Sequence, residues 1–202
     1  MARPARKPVQ SIIEPEILLG AYASGWFPMA DSKEGEIRWY SPDARGIIPL
    51  DRLKVSRSLN QTIRKKLFEV RIDTAFEAVM RACAEREDTW ISELIIRSYL
   101  NLFRLGYAHS VESWSGETLA GGLYGVALGG AFFGESMFSR KRDASKVALV
   151  HLVQQLRSRN FELLDTQFVT PHLITLGASE VPRDQYLRLL KPAVHRDCSF
   201  AD

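Results

Sequence analysis

In the segment Phe161-Glu162-Leu163-Leu164-Asp165-Thr166-Gln167-Phe168, strand alternation puts Asp165 and Gln167 on one face, beside Phe161 and Leu163. A carboxylate and an amide sharing an otherwise apolar face can orient each other and a nucleophilic amine. The plain alternative is that Asp165 bonds the following turn and Gln167 is satisfied by backbone, as buried polar groups commonly are. Glu135 lies in Phe132-Phe133-Gly134-Glu135-Ser136-Met137-Phe138, an acid inside an apolar strand. An unpaired charge is costly to bury, so it requires a partner or a function there unless it faces outward.

Other chemistries find less support. Ser136, Ser139, Ser145 and Thr170 have no neighbouring His in a nucleophile motif such as G-x-S-x-G. His109, His151, His172 and His195 are far apart, and Cys83 and Cys198 form no CxxC or Cys/His pattern, so neither a metal site nor a disulfide framework is expected. The glycine-rich run from Gly121 to Gly130 lacks the Lys-Ser or Lys-Thr of a phosphate loop and joins strands rather than opening a helix. Its glycines are expected to let a ligand or another backbone approach the sheet. Trp90, after Glu85-Arg86-Glu87-Asp88-Thr89, is either a base-stacking platform or core.

The elements that must position these groups follow from periodicity and punctuation. Glu14 to Ala23 is predicted helical with Pro15 in its first turn, and Gly25-Trp26-Phe27-Pro28-Met29 follows as an irregular aromatic corner. Ile47-Ile48-Pro49-Leu50 is a short apolar run that Pro49 confines to an edge strand. A polar helix begins near Ser56, and Val70-Arg71-Ile72 is a brief strand. Thr74 and Glu77 have capping-box spacing ahead of Phe76, Val79, Met80 and Cys83. Another helix runs from Ser92 to Leu105 and stops at Gly106. Three strands, Ala108 to Trp114, Thr118 to Ala127 and Ala131 to Phe138, suggest an antiparallel meander. A helix from Ala144 to Ser158, the strand Phe161 to Phe168, a short helix opened by Thr170-Pro171 and a last helix from Pro182 to Leu190 complete the chain. This is an α+β order with a mixed, mainly antiparallel sheet, divided into a small N-terminal lobe (1–54) and a larger domain (55–202).

With 202 residues, 46% hydrophobic and 25% charged, the chain can bury a genuine core without disulfide or metal staples. The basic start is not followed by an apolar run, and the uncharged stretch from Thr118 to Gly134 is too short and glycine-rich to span a bilayer, so neither a signal peptide nor a membrane segment is expected. Net charge is only +3, but its layout is uneven. Between Asp51 and Arg71, seven basic residues (Arg52, Lys54, Arg57, Arg64, Lys65, Lys66, Arg71) face only Asp51 and Glu69, whereas Leu105 to Ser139 has no Lys or Arg. Either this is a solvated face, or an anionic ligand lies at the edge of an apolar pocket.

Taken together, Gly25-Trp26-Phe27-Pro28, Trp39-Tyr40-Ser41-Pro42-Asp43-Ala44-Arg45, Thr89-Trp90-Ile91, Gly121-Gly122-Leu123-Tyr124-Gly125-Val126, Gly134-Glu135-Ser136-Met137-Phe138-Ser139-Arg140 and Leu164-Asp165-Thr166-Gln167 closely resemble the bacterial leucyl/phenylalanyl-tRNA–protein transferase family. The likeness runs in order from about Ile17 to Leu190. It implies a cytoplasmic aminoacyltransferase that moves Leu, less readily Phe, with Met a further candidate, from aminoacyl-tRNA to proteins or peptides with N-terminal Lys or Arg, creating a degradation signal. It also implies an acetyltransferase-like (GNAT-related) larger domain and no metal or coenzyme. Carried over, Asp165 and Gln167 match the proposed catalytic pair, Asp165 polarising Gln167, and Glu135 matches an acid near the aminoacyl group. Phe132, Leu149 and Leu152 match the aminoacyl pocket. Trp90, Tyr22 and Met29 match the adenosine site, Met29 standing where some members carry Trp. Arg57, Arg64, Lys65, Lys66 and Arg71 lie in the basic patch for the acceptor stem.

The substrate ester is already activated, and an α-amino group titrates near ~7.7–8.0, so positioning can supply most of the acceleration. Two rival classes remain. A coenzyme A-dependent N-acetyltransferase would want a glycine-rich turn before the helix after the third strand, where Arg140-Lys141-Arg142-Asp143 stands instead. A non-catalytic RNA-binding module would use the basic cluster alone.

Overall fold

The computed structural model describes residues 12–32, 35–86 and 89–201, so the basic start of the chain lies outside the described residues. Helix α1 (Pro15–Ala23) leads into a two-stranded antiparallel sheet of β1 (Phe27–Ala30) and β2 (Ile37–Tyr40). The aromatic corner at Phe27-Pro28-Met29 is therefore a hairpin strand, and Pro28 is tolerated because a two-stranded sheet leaves every strand an edge.

The second sheet has seven strands in the order β4-β5-β6-β7-β8-β3-β9. These are β3 (Ala44–Ile47), β4 (Glu69–Ile72), β5 (Ala108–Ser115), β6 (Thr118–Leu128), β7 (Ala131–Ser139), β8 (Leu163–Gln167) and β9 (Ser179–Pro182). All neighbours pair antiparallel except β7 and β8, which run parallel because α5 (Ala144–Ser158) carries the chain across. Two strand assignments change. The edge strand expected at Ile47–Leu50 starts three residues earlier and lies inside the sheet, between β8 and β9, so Pro49 falls outside it. The short polar β9 had no sequence signal.

Packing is on both faces, as the unbroken burial of β6 from Leu119 to Ala127 requires. One face carries α1, α3 (Phe76–Cys83), α4 (Glu93–Arg104) and α7 (Arg183–Ala193), joining Leu18, Tyr22, Met80, Tyr99, Tyr124, Phe133 and Tyr186 in one cluster. The other carries α5 and α2 (Arg57–Arg64), with Leu59, Leu123, Phe132, Leu149, Leu152, Leu164 and the C-terminal Phe200. Gly125 makes room on this side, since a Cβ there would collide with the carbonyl of Phe133 and the ring of Phe132. Ser56 and Ser92 cap α2 and α4, accepting from the N–H groups of Leu59 and Ile95 at 3.2 and 3.3 Å.

The capping box expected at Thr74 and Glu77 does not form. Thr74 instead donates its hydroxyl to Glu112 on β5 at 2.8 Å, and Glu112 also accepts from the N–H of Ala75, the residue preceding α3. A buried carboxylate supplies the charge-assisted bond that the exposed Glu77 would have offered.

Candidate active site

Strands β7 and β8 pair over Ala131–Phe133 and Leu163–Asp165, and the pairing ends there. Beyond it the strands part, and the sheet opens. A cavity of about 440 Å³ lies at this opening. Leu123, Leu149, Leu152 and Leu164 form its apolar wall, and Glu135, Gln167, Tyr124, Trp90 and Met29 lie around the rest.

Glu135 is aimed by a β-bulge. Tyr124 of β6 pairs with Ser136 and Gly125 with Gly134, so Glu135 is the extra, unpaired residue. That shift explains why Phe133 and Phe138, five residues apart, pack in the same core cluster. Bulges commonly re-aim side chains beside active sites in this way. The Glu135 carboxyl accepts from the hydroxyl of Tyr22 and from Nε2 of Gln167, each at 2.7 Å, and from the hydroxyl of Tyr99 at 3.4 Å. Tyr22 and Tyr99 also share a short hydrogen bond. Burial pushes the Glu135 carboxyl up to about 8, against the opposing hydrogen bond from Tyr22, and the negative charge of Asp165 adds to the rise. At neutral pH it is therefore largely protonated.

Asp165 is held differently. It is fully buried against Arg45, itself 1% exposed. Arg45 donates through Nε at 3.0 and 3.1 Å and through Nη2 at 2.7 Å. Tyr186 donates its hydroxyl to Asp165 at 2.6 Å, and the backbone N–H of Gln167 donates to it at 2.7 Å. Asp165 thus meets Gln167 through the main chain, in a local turn that fixes Gln167 at φ 61°, while the Gln167 amide reaches Glu135. Gly46 of β3 lies under this turn, where a Cβ would come within 2.8 Å of the Thr166 hydroxyl and the Phe168 backbone. Phe161 precedes β8 and packs in the α5-side core, so Leu163 alone of the expected apolar pair sits beside Asp165 and Gln167 on the other side.

The structure therefore brings Gln167, Glu135, Leu149, Leu152, Trp90 and Met29 to one opening, and Asp165 lies buried behind Gln167, outside the cavity lining. Phe132 lies behind it, buried and stacked on Phe200 with ring centres 5.3 Å apart. Tyr22 belongs to the carboxyl network and is fully buried. Arg57, Arg64, Lys65 and Lys66 are exposed on and just after α2, and Arg71 on β4 pairs with Glu69 at 2.8 Å. Helix α5 separates the two regions. Its Ser145, Leu149 and Leu152 line the cavity, while Val147, His151 and Gln154 face a groove that also includes Lys66. Arg45, Tyr99, Tyr124 and Tyr186 were not singled out by sequence reasoning. Arg45, Tyr99 and Tyr186 come from elements remote in sequence, and Tyr124 from β6, the strand paired with β7; none stands out as a site residue by its type and spacing alone.

An apolar side-chain pocket beneath a carboxyl–amide pair, where a parallel strand pair parts, is an arrangement that can hold an apolar acyl group beside polar groups able to orient a nucleophile. The comparisons with known proteins agree in class and sharpen it. A family profile described as leucyl/phenylalanyl-tRNA protein transferase matches residues 47–191, and one described as the N-terminal domain of that transferase matches residues 12–43. Curated relatives of the same description include one from Gloeobacter violaceus, 55% identical over 188 residues covering 93% of this chain and 97% of the relative. Another, from Herpetosiphon aurantiacus, is 54% identical, covering 93% and 98%. The chain belongs to the leucyl/phenylalanyl-tRNA–protein transferase family, and it is an aminoacyltransferase. Among solved structures, "The structure of L-PGS from Bacillus licheniformis" aligns with TM-score 0.40 and 13% identity, covering 80% of this chain and 55% of that one. Among the described residues no helix is long and apolar enough to cross a membrane, and no group of three or more His, Cys, Asp or Glu could hold a metal ion.

Proposed function

We propose that the protein transfers leucine, and less readily phenylalanine, from aminoacyl-tRNA to the α-amino group of proteins whose first residue is Lys or Arg, marking them for degradation in the cytoplasm. The observation that carries this is the opening between β7 and β8, where the leucine-lined cavity meets the Glu135–Gln167 pair. Leu149 and Leu152 would take the aminoacyl side chain, and Trp90 with Met29 would flank the terminal adenosine. The exposed Arg57, Arg64, Lys65 and Lys66 would meet acceptor-stem phosphates, with Arg71 beside them. A parallel pair parted after an antiparallel meander, with a helical crossover, also supports a GNAT-related ancestry for the larger domain.

The electrostatics suit aminolysis. Arg45 offsets the charge of Asp165, Glu135 is largely neutral at pH 7 and the cation Arg86 lies on the lining, so the opening has no net negative charge with which to trap the acceptor as an ammonium ion. The neutral amine is the nucleophile, and an α-amino group near ~7.7–8.0 supplies an appreciable fraction of it. Asp165 has every donor it can readily use and serves to fix the backbone of Gln167. The Gln167 amide carbonyl is left free to orient the incoming amine.

The test is transfer of labelled Leu, Phe and Met from their tRNAs to an Arg-initiated peptide, with Leu expected to lead. A protein that binds the tRNA but leaves the peptide unlabelled would leave only an RNA-binding role.

A further inference from the structure

Among the described residues, four buried side-chain polar atoms have no hydrogen-bond partner: Trp114 Nε1, Tyr124 Oη, Thr166 Oγ1 and His172 Nε2. Three of those residues, all but Trp114, line the cavity. Tyr124 is the most enclosed, with none of its surface exposed. A buried hydroxyl without a partner costs about 1–3 kcal/mol, so one retained beside a reaction cavity is a donor held ready for a ligand.

The ring of Tyr124 packs edge-on against Tyr99 and Phe76, with centres 6.0 and 5.9 Å away, which fixes the position of its hydroxyl oxygen. It lies opposite Ser136, one residue beyond the bulged Glu135. The donors nearest Glu135 are committed. Gln167 Nε2 and the Tyr22 hydroxyl donate to Glu135, the single proton of the Tyr99 hydroxyl is shared between Tyr22 and the more distant Glu135, and Arg86 Nη2 donates to Ser136 and to the carbonyl of Met137. Burial raises the phenol of Tyr124 well above its ordinary pKa, so its proton stays on the oxygen.

We propose that Tyr124 is a further catalytic residue, its phenol donating a hydrogen bond to the aminoacyl ester carbonyl oxygen as that oxygen gains negative charge. This rests on the transferase reading above. The acceptor nitrogen bonds to the carbonyl carbon, the carbonyl oxygen becomes an oxyanion, and its collapse breaks the carbon–oxygen bond to the ribose. The surplus proton of the amine ends on the departing ribose oxygen. Tyr124 keeps its own proton throughout, and its contribution is electrostatic stabilisation by a preset donor.

Tyr124→Phe removes only the hydroxyl. The maximal single-turnover rate of Leu transfer should fall about a hundredfold, the order seen when one oxyanion donor is deleted. The Leu-tRNA concentration giving half that rate should stay within about twofold. The melting temperature should hold or rise, because an orphaned polar group has left the core. A rate within about twofold of the parent overturns the proposal, and so does a fall in melting temperature, which would mean that the hydroxyl is bonded for structure. If the parent protein transfers no Leu, the transferase reading fails and this inference fails with it.

Discussion

Arg45→Met tests the anchor beneath the site. In the native protein the guanidinium makes three contacts to Asp165 at 2.7–3.1 Å, donates Nη1 to the carbonyl of Gly25 at 3.1 Å, and lies 4.5 and 4.7 Å from the ring centres of Phe27 and Tyr186. Methionine preserves much of the apolar stem and removes the charge. Asp165 retains Tyr186 and the Gln167 N–H but loses its counter-ion while remaining buried. Breaking a buried pair on one side costs about 3–5 kcal/mol, chiefly because the surviving charge is uncompensated. At about 2–4 °C per kcal/mol for a chain of this size, the melting temperature should fall by roughly 10 °C. Urea and thermal unfolding, followed by circular dichroism, would measure it. The double variant Arg45→Met with Asp165→Asn removes both charges while keeping a carbonyl acceptor, and should recover at least half of the loss. A single variant within about 1 kcal/mol of the parent, or a double variant no more stable than the single, would refute the claim that ion pairing holds this region.

Replacing Lys65 and Lys66 together by Ala should weaken tRNA binding and flatten its dependence on salt, since each phosphate contact releases counterions; an unchanged slope would make that surface a solvated face. Glu135→Gln addresses stability against pH. The folded-state carboxyl sits near 8 against an ordinary value of 4.5, so the native protein binds this proton more tightly than the unfolded chain does, and stability is lost as pH rises from about 5 to 8. The Gln variant should show a shallower loss across that window in urea midpoints, and an equal loss would place the titration elsewhere.

Much of the architecture was legible because it rests on local signals. The meander from Ala108 to Ser139, helix α5 and the crossover to β8 follow from alternation, glycine punctuation and helical period. The misses share a cause. The apolar run Ile47–Leu50 reads locally as a strand, whereas the position of β3 in the sheet is set by pairing with β8 and β9 and by the Arg45 anchor. The capping box failed because a residue 38 positions away, Glu112, outcompeted the local one for Thr74. Within the site, Asp165, Gln167 and Glu135 were visible as polar residues in apolar strands. Their partners Arg45, Tyr22, Tyr99 and Tyr186 come from α1, β3, α4 and α7, and no short-range pattern links those elements to β7 or β8.

The two carboxyls illustrate why placement matters more than residue type here. Both are buried, both lie at the parted end of β7 and β8, and sequence alone assigns them similar chemistry. Asp165 faces a guanidinium and accepts from Arg45, Tyr186 and the Gln167 N–H, so its charge is compensated and it works as a fixed point that bends the backbone at Gln167. Glu135 receives bonds only from neutral donors, two phenols and an amide, which cannot offset the burial of a full charge, and its carboxyl is held up near 8. Environments that separate two acids in this way also separate their tasks. One is paired with a guanidinium and sets geometry, and in the proposed reaction the other adds little negative charge to the opening that an uncharged amine enters. The bulge at Glu135 and the left-handed turn at Gln167 are the backbone features that let these two environments exist one strand apart.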